Sequence, residues 1–395
     1  MREGAAILSR AENSGNAFYM NEPTMPLVSI CTSTFNAERF VRRFLASSLN
    51  QTYPNIEVVI VDYGSSDGSE AILTEHASRD PRVRYFRRPY ERPIAEKFAE
   101  AFQLARGEFV IIHGIDDWLA RDYIANAVRG FSLHPDVAGI IPRFVSLLEI
   151  SHNTFQFHDE HTFPSGVYST GWFLRRLYRY CLSFTFYALV RRQDAIDAME
   201  YFLRNYCNGM SVPPELRTLY VKGFAVDIEF FAKILTRYKC FIWDNSLTFI
   251  KIIHAHNVTY DLKPFSSFLG NIQYYYYLML SYRYIYKPEW NRFYSGMKIR
   301  LGMEALATSV INFFRYNPHS SFFRVPGTKK QVSDFFWDFS VFEIAAVIAL
   351  VIPRIVLRSF EFVIRRLTKR STFAKEEVCE FTAANFLDAN GRFNT

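Results

Sequence analysis

The sequence lacks several features that would assign it to a special class of protein. Its five cysteines are widely spaced and include no C-x-x-C pair, which argues against a zinc site or a dithiol redox centre. The N-terminal segment has no long apolar run of the kind that marks a secretory signal. The longest apolar run, Ile344–Pro353, is about half the ~20 residues that a membrane-spanning helix requires. These absences predict a cytoplasmic protein with reduced thiols and no membrane-spanning helix.

The sequence does contain a large apolar fraction and a modest excess of positive charge. Hydrophobic residues make up 49% of the 395 positions, which suffices for one large packed domain and a smaller second one. The formal net charge of +7 suits an anionic partner, such as nucleic acid, anionic lipid or a phosphorylated substrate. Charge alone does not choose among the three.

Four apolar runs alternate with amphipathic segments near the N-terminus. The predicted strands are 27–31, 56–61, 83–86 and 109–113, and the predicted helices between them are 37–49, 69–77 and 94–105. This alternation predicts an α/β fold, Rossmann-like, with a mostly parallel sheet and helices on both faces. Polar clusters follow the strands at 32–36, 62–67 and 116–117. Ligands bind at this carboxyl edge of such sheets, so the clusters mark a candidate site.

The pattern loosens after about residue 135. Further strands are predicted at 137–148, 183–190 and from Cys240 onward, and further helices at 193–203 and 226–235. The composition changes again near residue 262, where a Tyr-rich segment with helical spacing begins. We divide the chain into a flexible lead-in, an α/β domain, a helical C-terminal region and a flexible tail, with the boundaries 1–25, 26–262, 263–370 and 371–395.

Adjacent acids end the fourth strand, at Asp116 and Asp117. Two neighbouring carboxylates repel each other unless a cation or hydrogen-bond donors lie between them. A divalent metal that also binds a diphosphate would satisfy this need. The alternative is a capping role for a helix that begins near Arg121.

Five stretches in this region resemble the catalytic domain of family 2 nucleotide-sugar glycosyltransferases, which have the GT-A fold. They are 28–36, 48–62, 64–69, 105–110 and 116–118. The resemblance implies that Thr32 and Phe35 line the nucleobase pocket and that Asp62 binds the base or ribose. It implies that Asp116 contacts the ribose or sugar. It further implies that Asp117 coordinates Mn²⁺ or Mg²⁺, which would stabilise the departing nucleoside diphosphate.

The sequence departs from the family pattern at several of these positions. Tyr63 replaces the second of two consecutive Asp residues that members often carry after the second strand, and Gly114 replaces the first Asp of a fuller metal motif. Phe98 and Ala99 stand where many members carry an Arg-Asn pair. These departures leave the identity of the nucleotide open.

The resemblance also implies a catalytic base. Asp227 matches the Asp of the family's acidic segment at the start of a helix, with Val226 in place of the accompanying Glu. An inverting transferase needs such a carboxylate to take the proton of the acceptor hydroxyl. Glu229 is the alternative base, and stabilisation of the helix dipole is the alternative role for both acids.

A basic segment with two histidines, 251–256, resembles the closing strand of the family. His254 matches the family's His best and is implied to ligate the metal or to hold the diphosphate. His256 is the second candidate, because side chains two residues apart share one face of a strand.

A basic amphipathic helix is predicted at 353–370. Its apolar residues fall on one arc and most of its Arg and Lys residues on the other, as in helices that lie on anionic membranes. The residues just before it, 339–352, are apolar apart from Glu343 and would enter the same layer. The alternative is a helix that packs on the catalytic domain with its basic face in water.

Together these observations predict an inverting, metal-dependent transferase that moves a sugar from a nucleotide donor, UDP favoured, to a hydroxyl of a glycan or lipid-linked glycan of a bacterial surface. It would work on the inner face of the cell membrane. The alternatives are transfer to a polyprenyl phosphate and a non-catalytic membrane adaptor that retains the fold. Nucleic-acid binding is disfavoured, because the basic residues cluster on an amphipathic helix rather than in an aromatic-lined groove.

Overall fold

A five-stranded sheet in the order β3-β2-β1-β4-β9 forms the first layer of the computed structural model. Its strands are β1 (Val28–Thr34), β2 (Ile56–Asp62), β3 (Val83–Arg87), β4 (Phe109–Ile112) and β9 (Val190–Arg191). The pairs among β1 to β4 are parallel, and β9 is antiparallel to β4. The structure describes residues 25–90, 92–151, 154–161, 163–173, 183–207, 226–254, 298–299, 302–303, 305–307, 339–356 and 381–382.

Helices cover both faces of this sheet. They are α1 (Glu38–Leu49), α2 (Ser69–Arg79), α3 (Ile94–Leu104), α4 (Tyr123–Leu133), α5 (Arg192–Phe202) and α6 (Val226–Leu235). All seven residues of β2 are buried. Val58 and Ile60 share one apolar cluster with Phe44 of α1, while Val59 and Val61 belong to the cluster on the other face with Phe102 of α3. Because successive strand residues point to opposite faces, an uninterrupted apolar run is what a doubly covered strand requires.

A second sheet joins the first near the end of β4. Its strands are β5 (Trp118–Leu119), β6 (Ile140–Ser151), β7 (Thr154–His161), β8 (Gly166–Ser169), β10 (Cys240–Ile253) and β11 (Phe381–Thr382). The order is β11-β7-β6-β10-β5, with β8 also paired to β10. The long strand β10 runs parallel to β6 and antiparallel to β5. This pairing brings the end of β10 beside the acidic turn that precedes β5.

The α/β architecture and the alternating elements before residue 135 are as predicted. One later prediction is wrong: residues 183–190 do not form a strand, because Ser183–Tyr187 is a 3-10 turn and only Val190 and Arg191 are extended. In this turn Phe186 packs edge-on against Phe230, with the ring centroids 5.1 Å apart. Tyr187 stacks on Phe249, with the ring centroids 4.0 Å apart. Packing therefore overrides the strand propensity of this segment.

The predicted lead-in, the Tyr-rich segment and most of the tail lie outside the described residues, and the domain boundaries stay predictions. In the C-terminal region, residues 341–356 are helical. Among the described residues, no helix combines the length and hydropathy that crossing a membrane requires.

Candidate active site

The acidic turn lies at the carboxyl edge of the first sheet, between the two sheets. Strand β4 ends at Ile112, and Asp116 and Asp117 follow in the turn before β5. His113 N donates to Cys31 O at 2.9 Å, and Tyr63 N donates to Thr34 O at 3.0 Å. These bonds tie the segments that follow β4 and β2 to β1. The polar clusters predicted from the sequence therefore meet at one edge.

Asp117 is a buried acid beside a second acid. Its Oδ1 accepts a hydrogen bond from Ile252 N at 3.0 Å. Burial, and after it the charge of Asp116, raises the pKa of Asp117 to about 7. Burial also raises the pKa of Asp116, but a hydrogen bond from His254 and the charge of Lys251 outweigh it and leave that pKa below its usual range. Burial thus disfavours the ionised form of Asp117 more than its neighbours favour it, and a bound cation would stabilise that form.

His254 contacts the acid pair directly, and its implied role as a ligand of the metal or of the diphosphate stays a prediction. Its Nε2 lies 3.0 Å from Asp116 Oδ2, and its ring stacks on Phe40 with the centroids 4.8 Å apart. His254 and Asp116 are 138 positions apart in sequence. His256 lies outside the described residues.

Two cations near the acid pair were not identified from the sequence. Lys251 Nζ donates to the hydroxyl of Tyr187 at 3.2 Å. Burial lowers the pKa of Lys251, but the charges of Tyr187, Asp117 and Asp116 outweigh it and raise that pKa above its usual range. The Arg43 guanidinium lies 5.1 Å from the centroid of the Trp118 ring. Burial lowers the pKa of Arg43, and the charges of both acids partly oppose this effect.

The backbone of the turn is held by a buried neutral histidine. His113 Nδ1 lies 3.0 Å from Ser48 Oγ, and His113 Nε2 lies 3.0 Å from Asp117 O. Burial lowers the pKa of His113 to about 3, so the ring is uncharged at neutral pH. A neutral ring donates from only one nitrogen. Nε2–H therefore donates to Asp117 O, and Nδ1 accepts from the Ser48 hydroxyl.

Gly114 explains one departure from the family pattern. A Cβ at this position would lie 2.4 Å from Asp117 Oδ2, which is far inside van der Waals contact. An acidic side chain at 114 therefore has no room while Asp117 adopts this conformation.

The donor set fits the divalent metal that the resemblance implies. Among the residues that the structure describes, no three His, Cys, Asp or Glu side chains form a ready-made metal cluster. Mg²⁺ usually binds proteins through one or two carboxylates together with substrate phosphates, rather than through a complete protein cage. Asp117, with Asp116 beside it, supplies such carboxylates, and the space left by Gly114 accommodates the Asp117 side chain.

The predicted nucleoside-binding residues lie at the same edge but differ in accessibility. Phe35 is exposed, whereas Thr32 and Asp62 are buried. Asp62 Oδ1 accepts hydrogen bonds from Ser65 N and Ser65 Oγ, and Asp62 Oδ2 accepts one from Tyr85 at 2.9 Å. Asp62 therefore organises the loop after β2 in this structure. A direct bond from Asp62 to a nucleoside stays a prediction.

The predicted base lies on an element that adjoins the site. Asp227 is half-buried in the first turn of α6, and the alternative acid Glu229 is buried. Helix α6 packs through Phe230 on Phe186, the neighbour of the Tyr187 that binds Lys251. The structure does not bring Asp227 into a described contact with the acid pair, and its role as base stays a prediction.

The N-terminal part of the chain is similar to known glycosyltransferases. Residues 29–193 match the model of the family described as "Glycosyl transferase family 2". Over 104 residues, 26% of this chain and 30% of the relative, the chain is 36% identical to the putative glycosyltransferase EpsH of Bacillus subtilis (strain 168). Over 100 residues, 25% of this chain and 14% of the relative, it is 36% identical to a chondroitin synthase of Escherichia coli. The matched part thus spans less than a third of either relative.

Among solved structures, the chain resembles residues 1–349 of S. aureus TarS in complex with UDP. The TM-score is 0.50 at 14% sequence identity, and the alignment covers 84% of this chain and 89% of that chain. At this identity the likeness concerns the fold alone. It confirms the predicted GT-A architecture.

Proposed function

We propose, from the match of residues 29–193 to the model of glycosyl transferase family 2, that the chain is an inverting, metal-dependent glycosyltransferase. It moves a sugar from a nucleotide-sugar donor, of which a UDP-sugar is favoured, to a hydroxyl of a glycan or lipid-linked glycan. The observation that carries the proposal is the acid pair at the sheet edge, where the pKa of Asp117 is raised to about 7 by burial and by Asp116. Such an arrangement favours binding of a cation together with an anionic donor.

Each residue around the pair has a part in donor binding. Asp117 would hold Mn²⁺ or Mg²⁺, which would supply positive charge for the departing diphosphate, and Asp116 would contact the ribose or sugar of the donor. The buried Lys251 ammonium, whose pKa both acids raise, adds a fixed positive charge for the same diphosphate. His254 fixes the orientation of Asp116. Thr32, Phe35 and Asp62 form the edge that receives the nucleoside.

The transfer itself requires a base on the acceptor side. The acceptor hydroxyl oxygen forms the new bond to the anomeric carbon, and the bond from that carbon to the diphosphate oxygen breaks. Asp227 takes the hydroxyl proton, and the nucleoside diphosphate leaves with the bonding electron pair. Transfer to a polyprenyl phosphate would need no such base, so Asp227→Asn distinguishes the two acceptor classes. We expect this variant to bind donor and to lose transfer to glycan hydroxyls.

The proposed acceptor belongs to bacterial surface polysaccharide synthesis. The support comes from the names of relatives, which include the E. coli chondroitin synthase and an O-antigen biosynthesis protein, RfbC, of Myxococcus xanthus. The matches cover 14% and 9% of these relatives, so the assignment of the acceptor rests on partial likeness. We propose that the enzyme acts on the cytoplasmic face of the cell membrane, attached peripherally through 353–370.

Calorimetry tests the donor site directly. UDP and GDP are titrated with and without Mn²⁺ into the wild-type chain, Asp117→Ala and the control Asp136→Ala, which removes an exposed acid in the turn before β6. We expect Mn²⁺-dependent binding of one nucleotide to the wild type and the control, and none to Asp117→Ala. Binding of neither nucleotide under any condition would overturn the proposal and favour a non-catalytic adaptor.

A further inference from the structure

Helix 341–356 carries its apolar side chains on the outside of the molecule. Val341 is 80% exposed and Phe342 is 88% exposed, and Ile348, Ile352 and Val356 are exposed as well. At 100° per residue, these five residues lie on one side of the helix. All of the exposed residues between 341 and 356 are apolar.

The acidic residue of the same helix, Glu343, faces the protein. Glu343 is buried, and its carboxylate accepts hydrogen bonds from Lys298 Nζ at 2.8 Å and from Ser340 N at 2.8 Å. Val347 lies on this inner side, where a Cβ on Gly302 would be 3.0 Å from it. The ion pair and the close packing fix the rotation of the helix about its axis. The outward direction of the apolar face is therefore set by the fold.

This polarity is the reverse of that of an ordinary surface helix. A helix on a water-soluble protein places its apolar stripe on the core and its charged residues in solvent. A contiguous exposed apolar face marks a surface that meets another apolar phase or partner. Since burial of apolar area is favourable by about 25 cal/mol per Å², leaving such a face in water forgoes considerable stabilisation.

We propose that the outward face of helix 341–356 inserts into the surface layer of an anionic lipid membrane. The charge of the chain that follows selects this occupant, because positions 354–370 carry six Lys or Arg residues and one Glu. Basic residues next to an apolar helical face are typical of helices that bind anionic lipid interfaces. The described 16 residues would extend about 24 Å along the membrane surface.

The proposal assigns the apolar contact to helix 341–356, which overlaps the residues 339–352 that the sequence predicts to enter the membrane layer together with the helix at 353–370. Of that range the structure describes only 353–356. The apolar residues that meet the lipid precede the basic residues, so insertion and charge attraction come from consecutive segments. Because this surface lies outside the donor site, its test does not depend on transferase activity.

Vesicle flotation with the full chain tests the surface. The variant Ile348→Glu/Ile352→Glu places two charges on the outward face, and Leu133→Glu, at a 69% exposed apolar residue at the end of α4, is the matched control. On phosphatidylcholine vesicles that contain phosphatidylglycerol, we expect the double variant to bind at least about tenfold more weakly than the wild type. The control should bind as the wild type does.

Three outcomes would overturn the proposal. The first is equal flotation of the double variant and the wild type. The second is equal binding of the wild type to vesicles with and without phosphatidylglycerol, which would exclude the anionic lipid. The third is a dimer of the wild-type chain in lipid-free solution that the double variant dissociates, which would assign the face to a second copy. Circular dichroism and urea unfolding of the double variant establish that it is folded.

Discussion

The two edges of the first sheet each contain a buried acid, but the acids are stabilised differently. At the amino edge, Glu57 accepts hydrogen bonds from Ser29 Oγ at 2.6 Å, Arg106 N at 2.6 Å and Arg84 Nη1 at 2.8 Å. Burial raises the pKa of Glu57, but these donors outweigh it and leave the pKa below its usual range. The carboxylate of Glu57 is therefore fully satisfied by its own protein.

At the carboxyl edge, the balance between burial of the carboxylate and the interactions that stabilise its charge is reversed. The Asp117 carboxylate has one described hydrogen bond, from Ile252 N, and a second acid as its neighbour in the chain. Its pKa is raised by burial and by Asp116, although Lys251 and Arg43 oppose the shift. The comparison indicates that the charged groups at the amino edge stabilise the fold. At the other edge, burial disfavours the ionised form of Asp117, which a bound cation would stabilise.

The largest effect is expected for Asp117→Asn. We expect transferase activity, measured as kcat/KM, to fall by about 10²–10³-fold, because a carboxylate that holds the metal is lost. Without metal, the variant should be more stable than the wild type by about 1 kcal/mol at pH 8, as urea unfolding would measure. The reason is that the substitution removes a buried charge beside Asp116.

The pH dependence of this difference follows from the sign of the pKa shift. Asp117 has a higher pKa in the folded chain than in the unfolded chain, so the unfolded chain loses its proton first as pH rises. The contribution of Asp117 to stability is therefore full below about pH 4 and decreases up to about pH 7. The stability advantage of Asp117→Asn over the wild type should therefore increase from about pH 4 to about pH 7. A variant less stable than the wild type at pH 8 would contradict the comparison.

Lys251→Met should have the next largest effect. Loss of the ammonium beside the acid pair is expected to weaken nucleotide binding by about 10–100-fold in calorimetry with Mn²⁺. Lys233→Met is the control, because Lys233 also lies over a tyrosine ring, 3.9 Å from the centroid of Tyr201, but outside the site. Equal losses in both variants would mean that Lys251 contributes only to folding.

Local patterns in the sequence were sufficient to predict the first sheet and the acidic turn. The apolar runs of β1 to β4 and the helical spacing between them are properties of short segments, and so is the position of Asp116 and Asp117 after a strand. The 3-10 turn Ser183–Tyr187 escaped prediction because the packing of its aromatic residues on distant partners determines its conformation.

The partners of the acid pair depend on tertiary pairing. Ile252 is 135 positions from Asp117, and only the pairing of β10 with β5 brings the two together. Lys251 was visible in the segment that resembles the family's closing strand, three positions before His254, but its sequence context gives no sign that it faces the acids. The orientation of helix 341–356 likewise depends on the ion pair of Glu343 with Lys298, across 45 positions.

A smaller effect on the site is expected for Gly114→Ala. The new Cβ would lie 2.4 Å from Asp117 Oδ2, so the carboxylate must rotate. We expect Mn²⁺-dependent nucleotide affinity to fall by about tenfold, since misplacement of a binding group is costly. Gly166→Ala in β8 is the control, because its Cβ would meet no atom within 4 Å. Unchanged affinity of the Gly114 variant would mean that Asp117 has more room than the structure gives it.

Glu57→Gln should have the smallest effect on the site, because the amino edge serves stability. Nucleotide affinity is expected to stay within about twofold of wild type, while the free energy of unfolding at pH 7 falls by about 1–2 kcal/mol through loss of charged hydrogen bonds. The folded pKa of Glu57 is lowered, so its contribution is full above the unfolded value near pH 4.5 and is lost as pH falls through the folded pKa. The stability of Glu57→Gln relative to wild type should therefore rise as pH falls. The stability of Asp117→Asn relative to wild type should instead decrease as pH falls. Urea unfolding of both variants from about pH 3 to pH 8 measures the two trends together, and parallel trends would show that the two edges are not distinct.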